Sequence, residues 1–165
     1  MNTGPLRVQM LGNFSISLDG REIDDNGNRS RKVWLLLAYM IYCRKRPISQ
    51  EELVSLLWGD EEESSNPLNA LKTMFHRVRT TLNQLDSAAG HNLIVRQGGS
   101  YAWNTEIPVE LDVEEFDQLC REGAAEQDEE RRLACYLQAA GLYQGDFLSK
   151  LASEPWVVPI AAYFH

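Results

Sequence analysis

One long stretch, NPLNALKTMFHRVRTTLNQL at residues 66–85, lacks any carboxylate, although the chain carries 24 Asp and Glu against 16 Lys and Arg. Its apolar residues recur at intervals of three and four, which predicts a helix with one buried face. Those residues are Leu71, Phe75, Val78, Leu82 and Leu85. On a wheel of about 100° per residue, the opposite side carries only hydrogen-bonding and cationic side chains. A side of this kind can donate hydrogen bonds to base edges and meet phosphates, which carboxylates would repel.

We predict that six side chains of this helix face bases in the major groove of double-stranded DNA. They are Asn69, Lys72, Thr73, His76, Arg77 and Thr80. The first half of a reading helix enters the groove, which favours the earlier positions. Arg79 is predicted to touch a phosphate or to pack on its own domain. An ordinary solvated amphipathic helix would expose similar side chains, so the helix alone leaves DNA binding and simple solvation both open.

Capping signals place two further helices before this one. Ser30 can cap the first, and Pro47 ends it because proline cannot continue a helix. Ser49 and Glu52 form the capping box of the second helix. The acid-free helix then begins at Asn66, with proline at its first position.

Short strands precede and follow the three helices. The segments LRVQML and FSISL alternate at period two, and Asp19-Gly20 is a hairpin turn that returns the chain into REI. After the helices, LIVR and YAWN flank the turn QGGS and predict a second hairpin at residues 93–104. Tyr101 and Trp103 are expected to pack on the core rather than to stack on DNA bases. The order of sheet, three helices and hairpin predicts an α+β winged helix, in which two helices form a helix-turn-helix and the second hairpin is the wing.

Side chains outside the third helix are candidates for contacts with the DNA backbone. Arg96, Gln97 and Ser100 in the wing are predicted to reach a phosphate or the adjacent minor groove. An ordinary solvent-exposed turn is the alternative for the wing. Arg31 and Lys32 lie at the start of the first helix, where the helix dipole disfavours cations. That small cost is compatible with a phosphate contact.

The charge of the chain is divided unequally. Residues 1–105 hold 12 Lys and Arg and 11 Asp and Glu, a net charge of +1, whereas residues 106–165 hold 4 and 13, a net charge of −9. In the acidic part, Asp112 with Glu115 and then Asp128 are capping signals for two helices joined by a short turn. Two later prolines leave room for a short or bent final helix. This asymmetry predicts two units with different partners.

Several functional classes lack support in the sequence. No apolar run approaches the roughly 18 residues of a membrane span, and the N-terminus has no apolar signal-peptide core, so we expect a cytoplasmic protein with no membrane partner. The three cysteines are scattered and are expected to be free thiols. The sequence contains no glycine-rich phosphate loop, GxSxG or HExxH motif, and its three histidines lie far apart. We therefore expect no enzyme activity, catalytic residue, metal or cofactor.

Four segments together resemble the OmpR-type winged helix of SARP transcriptional regulators, the antibiotic regulatory proteins. They are LRVQMLGNFSISLDGREI, ISQEELVSLLWGDEE, NPLNALKTMFHRVRTTL and LIVRQGGSYAWN. The segment that follows, ELDVEEFDQLCREGAAEQDEERRLACYLQAAGLYQGDFL, resembles their bacterial transcriptional activator domain, an all-α array of tetratricopeptide-like hairpins. The resemblance implies a winged-helix DNA-binding domain at residues 1–105. It also implies that residues 106–165 are the incomplete N-terminal part of the activator domain of a larger regulator.

The resemblance further implies a function and partners. SARP-type regulators typically bind direct repeats near a promoter, are expected to dimerise on these tandem sites, and contact RNA polymerase to activate transcription. The loop Asp60-Glu61-Glu62-Glu63 lies where OmpR-type relatives meet the polymerase, so it is a candidate contact. A solvated acidic loop is the alternative for this segment.

Two residues of the third helix differ from the family pattern. His76 and Lys72 stand where relatives commonly carry serine and glutamine, so we expect a different preferred base sequence. The competing hypothesis for the whole chain is a protein–protein interaction module, in which the winged helix and the acidic helices dock partners without binding DNA. Salt dependence separates the two, because phosphate contacts weaken steeply with added salt.

Overall fold

A computed structural model describes residues 5–26, 30–59 and 66–165. The chain divides into two compact units. The split unit consists of the residues up to Ser17 together with Val109–His165, and the inserted unit consists of Leu18–Pro108. The chain thus leaves the split unit after its first strands and returns to it more than half-way along the sequence. The predicted domains, 1–105 and 106–165, stay a prediction, because compactness alone does not say which segments fold together.

The secondary structure is α+β, as the sequence predicts. The strands are β1 (Leu6–Gln9), β2 (Ser15–Leu18), β3 (Arg21–Asp24), β4 (Ile48–Ser49), β5 (Ile94–Gln97), β6 (Ser100–Trp103) and β7 (Val109–Leu111). The helices are α1 (Arg31–Tyr42), α2 (Gln50–Trp58), α3 (Pro67–Leu82), α4 (Ala89–Leu93), α5 (Asp112–Ala125), α6 (Glu129–Leu142) and α7 (Val157–Phe164), with a 3₁₀ turn at Ser149–Leu151. The strands β4 and β7 and the helix α4 were not predicted, and each is five residues long or shorter.

In the split unit, β1 is flanked by two strands. It pairs antiparallel with β2, where Val8 lies opposite Ile16, and parallel with β7, where Val8 lies beside Leu111. The predicted alternation of β1 is confirmed, since Leu6, Val8 and Met10 are buried. The parallel pairing matters because β7 leads directly into α5 and so brings the first residue of that helix to the end of β1.

The sequence assigned the wrong role to Asp112. It is the first residue of α5 rather than its cap, because Leu111 holds the cap position without a side-chain hydrogen bond. The Asp112 carboxylate instead accepts hydrogen bonds from the main-chain N–H groups of Met10 and Leu11, at 2.8 and 2.9 Å. The parallel strand pairing explains this choice, since it places two amide donors of the chain just after β1 beside the carboxylate.

The helices of the split unit follow the predicted order. Asp128 caps α6 by accepting a hydrogen bond from Glu130 N at 3.1 Å. A glycine lets α5 and α6 approach closely, because a Cβ at Gly123 would lie 2.7 Å from the Tyr136 ring. The last helix, α7, has eight residues and carries Pro159 in its first turn, which confirms the prediction of a short final helix.

In the inserted unit, the predicted caps of the three longer helices are present. Ser30 accepts from Lys32 N, Ser49 accepts from Glu52 N at 3.1 Å, and Asn66 accepts from Asn69 N at 3.1 Å. These bonds satisfy amides that have no partner within their own helix.

The segment between α3 and the wing, for which the sequence predicted no element, contains the short helix α4. It packs tightly on α3 through Gly90. A Cβ at this glycine would clash with the main chain of Arg79. The glycine, together with a hydrogen bond from Gly90 N to the Asn83 side chain at 2.8 Å, explains how a five-residue helix is held in place.

The wing forms as predicted, with one additional strand. β5 and β6 pair antiparallel, with Val95 opposite Ala102, and β4 pairs with the other edge of β6. Tyr101 and Trp103 are buried, so their packing role is confirmed. Asp19 and Gly20, with φ of 49° and 85°, form the predicted turn between β2 and β3.

Candidate nucleic-acid interface

The orientation of α3 is fixed by its apolar face. All five predicted core residues are at most 3% exposed: Leu71, Phe75, Val78, Leu82 and Leu85. The ring of Phe75 stacks on that of Tyr101, with 3.8 Å between centroids and 8° between planes. This contact ties the helix to strand β6 of the wing, so the side of α3 opposite the core has a defined direction.

The outer side of α3 carries the side chains that the sequence singled out. Each of the six predicted base-facing residues is exposed, namely Asn69, Lys72, Thr73, His76, Arg77 and Thr80. At about 100° per residue they cover an arc of roughly 140° on the side away from Leu71. The structure therefore brings the six together on one continuous strip of helix surface.

The hydroxyl groups of the two threonines of this strip donate hydrogen bonds to main-chain carbonyl oxygens of the same helix. Thr73 Oγ1 donates to the carbonyl oxygen of Asn69 at 3.2 Å, and Thr80 Oγ1 donates to that of His76 at 2.9 Å. Their remaining chemistry is two oxygen lone pairs and a methyl group each, which suit an adenine or cytosine amino group or a thymine methyl. The donors of the strip are therefore concentrated in Asn69, Lys72 and Arg77, with His76 able to donate or accept.

Sequence reasoning did not predict an exposed apolar residue at the N-terminal end of α3. Leu68 is 45% exposed, although it lies in the first turn of α3. Its side chain offers the kind of surface that contacts the methyl group of thymine. Leu68 lies three residues before Leu71 and continues the spacing of the buried residues, so the periodicity gives no signal of its exposure.

The remaining residue of the helix, Arg79, lies half-buried against its own unit. Its Nη2 atom is 3.4 Å from the carbonyl oxygen of Ile94, and its buried Nε atom has no hydrogen-bond partner. Of the two predicted roles, packing on its own domain is the one that this position suits.

The wing side chains that are predicted to contact the DNA backbone differ in their exposure. In the wing, Arg96 and Gln97 are exposed beside the turn at Gly98, which has φ of 59°, whereas Ser100 is half-buried. The guanidinium of Arg96 lies 5.8 Å from the centroid of the Tyr101 ring, a cation–π arrangement that leaves its N–H groups available. The wing therefore presents one cation and one amide outward.

At the start of α1, Arg31 is exposed and Lys32 is half-buried. The ammonium of Lys32 lies 5.2 Å from the Trp58 ring of α2. This contact joins α1 to α2 and gives Lys32 a structural role in addition to the predicted one.

A polar network that the sequence did not reveal joins α1 to α2. Glu52 Oε2 accepts hydrogen bonds from the Tyr39 hydroxyl at 2.6 Å and from Arg46 Nη2 at 2.8 Å. Only the Ser49 half of the predicted capping box is seen, since the Glu52 carboxylate is held by these other donors. The bonds from Arg46 and Tyr39 lower the pKa of Glu52, while burial and the bond to Glu52 raise the pKa of Tyr39 to about 12.

The remaining expectations concern the acidic loop, a metal site and a membrane span. The acidic loop Asp60-Glu61-Glu62-Glu63 lies outside the described residues. Within residues 5–26, 30–59 and 66–165, no cluster of three or more His, Cys, Asp or Glu side chains could hold a metal ion. Across the same described ranges, every helix is too short or too polar to cross a membrane.

Comparison with known proteins adds two findings. Residues 111–165 match the family model described as the bacterial transcriptional activator domain. The fold is similar to that of EmbR from Mycobacterium tuberculosis, solved in complex with a low affinity phosphopeptide, with a TM-score of 0.75 and 18% sequence identity. The chain therefore carries a match to this activator domain over its last third, within a fold similar to that of EmbR. The structural match covers 98% of this chain and 42% of the EmbR chain, so the chain spans less than half the length of that protein.

No curated protein matches the sequence. The comparisons thus support two expectations from the sequence resemblance, an activator domain in the last third of the chain and a winged helix followed by helices.

Proposed function

We propose that this SARP-type chain binds double-stranded DNA in a sequence-specific manner and activates transcription. The observation that carries the proposal is the exposed strip of six residues on α3. It is free of carboxylates, it is rich in donors, and it lies on the helix that stacks on the wing through Phe75 and Tyr101. In the proposal α3, at residues 66–85, enters the major groove, and the wing at residues 93–104 lies on the adjacent backbone or minor groove.

The proposed contacts fall into two groups. Base contacts come from the strip, in which Lys72 and Arg77 donate to guanine and Asn69 suits adenine. Backbone contacts come from Arg31, Lys32 and the wing residues Arg96, Gln97 and Ser100, with Arg79 supporting the helix from behind. Phosphate contacts supply affinity and register, and base contacts supply the sequence preference.

The wider proposal concerns partners. We place the binding sites in promoters as tandem repeats occupied by a homodimer, with RNA polymerase as the protein partner and the cytoplasm as the location. The loop Asp60–Glu63 is the first candidate for the polymerase contact. A domain of residues 1–105 for DNA and a partial activator domain at residues 106–165 belong to the same proposal.

A second candidate function is protein docking without DNA. It is favoured by three large side chains exposed on α6: Leu133 at 59%, Tyr136 at 41% and Leu137 at 63%. Exposed apolar residues that cluster on one helix are typical of interaction surfaces. The two functions are compatible in one regulator, but only the first requires the cations of the inserted unit.

The test is the salt dependence of binding to a fluorescently labelled duplex of mixed sequence, measured by anisotropy. Phosphate contacts predict that the logarithm of affinity falls linearly with the logarithm of salt concentration, with a slope steeper than about −3 for four or more contacts. Arg96→Ala should make the slope shallower by about 1. Arg21→Ala is the matched control, since Arg21 is an exposed arginine of the inserted unit outside the proposed interface. No binding even at low salt would leave protein docking as the function.

A further inference from the structure

A polar cavity of about 450 Å³ lies within the split unit. Its walls come from the loop after β1, from the first residue of α5, and from the end of α6 with the turn that follows. The polar side chains that line it are Gln9, Asn13, Asp112, Gln144 and Ser149. The volume lies in the range of small-molecule sites, about 300–1,000 Å³. The cavity contains none of the residues proposed to contact DNA.

The walls of this cavity are held by main-chain hydrogen bonds between distant segments. Gly12 N donates to the carbonyl oxygen of Asp146 at 3.0 Å, and Leu148 N donates to that of Met10 at 2.7 Å. Gly12, with φ of 108°, adopts a backbone conformation that other residues rarely reach. A Cβ at Gly145 would lie 3.1 Å from Gly12 Cα, so the two segments touch backbone to backbone. The cavity is therefore preformed.

The cavity contains a carboxylate, that of Asp112. Asp112 is 8% exposed and its two oxygens accept the hydrogen bonds from Met10 N and Leu11 N. Burial raises the pKa of Asp112 and the charge of Glu115 adds to the effect, while the main-chain hydrogen bonds oppose it. Among the described residues that line the cavity there is no Lys, Arg or His. These main-chain amides, together with that of Val113, solvate the negative charge but do not neutralise it.

Three other polar side chains of the cavity each donate one hydrogen bond to a main-chain oxygen. Gln9 Nε2 donates to Asn13 O at 3.2 Å, and Gln144 Nε2 donates to Gly141 O at 2.6 Å. Ser149 Oγ donates to Gly12 O at 3.2 Å. Both amide oxygens and the lone pairs of the hydroxyl are left as acceptors. The cavity therefore offers negative charge and oxygen acceptors together.

We propose that this cavity binds a small organic cation whose primary ammonium group lies against the Asp112 carboxylate. An ammonium brings three N–H donors, which match the carboxylate and the amide oxygens of Gln9 and Gln144. Such a ligand touches the loop after β1, the start of α5 and the end of α6 at once. Its occupancy would stabilise the split unit by binding the folded state only. Through this site a small molecule would act on the protein. The proposal does not depend on the proposed DNA contacts.

The experiment measures the melting temperature of the whole chain with increasing 1,4-diaminobutane, at constant low ionic strength. The expected result is a saturable rise in melting temperature of about 3 °C or more. Tetramethylammonium, which has the charge but no N–H donor, should give no such rise. Potassium chloride at matched ionic strength serves as the inorganic control, and an equal rise with it would overturn the proposal of an organic ligand.

A pair of lysine variants tests whether the diamine raises the melting temperature by binding in this cavity. Gln144→Lys places an ammonium on the cavity wall, and it should abolish the response to the diamine and raise the melting temperature by itself. Gln138→Lys adds the same charge at an exposed position of α6 that does not line this cavity, and it should keep the response. Equal responses in the two variants would show that the diamine binds elsewhere on the acidic surface, which contradicts the proposal.

A third variant, Asp112→Asn, removes the charge itself. It should abolish the response, but it should also lower the melting temperature because an amide cannot accept from both main-chain N–H groups through two oxygens. If this variant does not fold, the lysine pair still decides the matter. A wild-type chain that shows no response to about 10 mM diamine has no such site.

Discussion

Helices α3 and α6 look alike in sequence but present different surfaces. Both are long and amphipathic, and beyond the first turn of α6 neither carries a carboxylate. The outer side of α3 consists of hydrogen-bonding and cationic side chains, whereas that of α6 exposes Leu133, Tyr136 and Leu137. The arginines of α6 are engaged at its own N-terminal end, since Arg132 donates to the carbonyl oxygen of Glu126 at 2.7 Å. The lack of acid is therefore common to both helices, and the outward donors are what sets the surface of α3 apart.

The largest expected effect comes from reversing a charge on each helix. Arg77→Glu places a carboxylate in the middle of the proposed reading strip, and we expect DNA affinity to fall by about 100-fold or more because a base contact is lost and phosphates repel the new charge. Arg131→Glu makes the same exchange on α6 and should leave DNA affinity unchanged. Anisotropy titrations of the two variants check this. Similar losses in both would mean that net charge rather than the strip controls binding.

A smaller effect separates base contacts from phosphate contacts within the strip. His76→Ala should weaken binding by about 10-fold and relax one base position of the selected site. Lys72→Ala should alter a different position, since Lys72 lies one turn earlier. The measurement is affinity for a set of duplexes that differ from the selected site by single base pairs. A uniform loss across all duplexes would assign the side chain to the backbone instead.

Substitutions on α6, unlike those on α3, should leave DNA affinity unchanged. Leu137→Lys replaces a side chain that is 63% exposed, so neither stability nor DNA affinity should change by more than a small amount. If the exposed leucines meet a protein partner, promoter activation should drop several-fold while DNA binding is kept. A reporter assay beside an anisotropy titration measures both. Loss of DNA binding in this variant would contradict the division of roles between the two helices.

The smallest effect concerns the network that joins α1 to α2. The pKa of Glu52 is below its ordinary value of 4.5, so its contribution to stability is present above that pH and is lost as the pH falls through the lower folded value. Glu52→Gln should lower stability at neutral pH by no more than about 1 kcal/mol, since the pair is partly exposed to solvent. Melting curves between about pH 6 and pH 3 should show the wild type and the variant converging in acid. A constant difference would mean that Glu52 acts through packing and not through its charge.

Local signals in the sequence were enough to predict the helix that positions the proposed site. The caps at Ser30, Ser49 and Asn66 and the buried spacing of α3 depend only on neighbours within a few residues, and all are present in the structure. The exposure of the strip follows from that spacing. Whether its residues bind DNA stays a prediction, because a fold places side chains without showing what they touch.

The features that the sequence did not reveal depend on distant partners. β7 has three residues and exists because β1 lies beside it, about a hundred residues earlier in the chain. The same pairing gives Asp112 its main-chain donors, which no local capping rule could anticipate. Glu52 was assigned to the cap of its own helix, but Tyr39 and Arg46 compete for the same carboxylate and hold it. Short strands, and carboxylates that bind donors distant in sequence, therefore cannot be predicted from local sequence patterns.

The most direct test of the DNA-binding account is selection from a pool of random duplexes at moderate salt, followed by sequencing of the retained DNA. The account predicts enrichment of a short motif in tandem, and predicts that His76→Ala relaxes particular positions of that motif while Arg21→Ala leaves it intact. Retention of DNA without any enriched motif would contradict sequence-specific reading by α3. Absence of retained DNA, also at low salt, would contradict DNA binding itself and leave the exposed strip as a protein-docking surface.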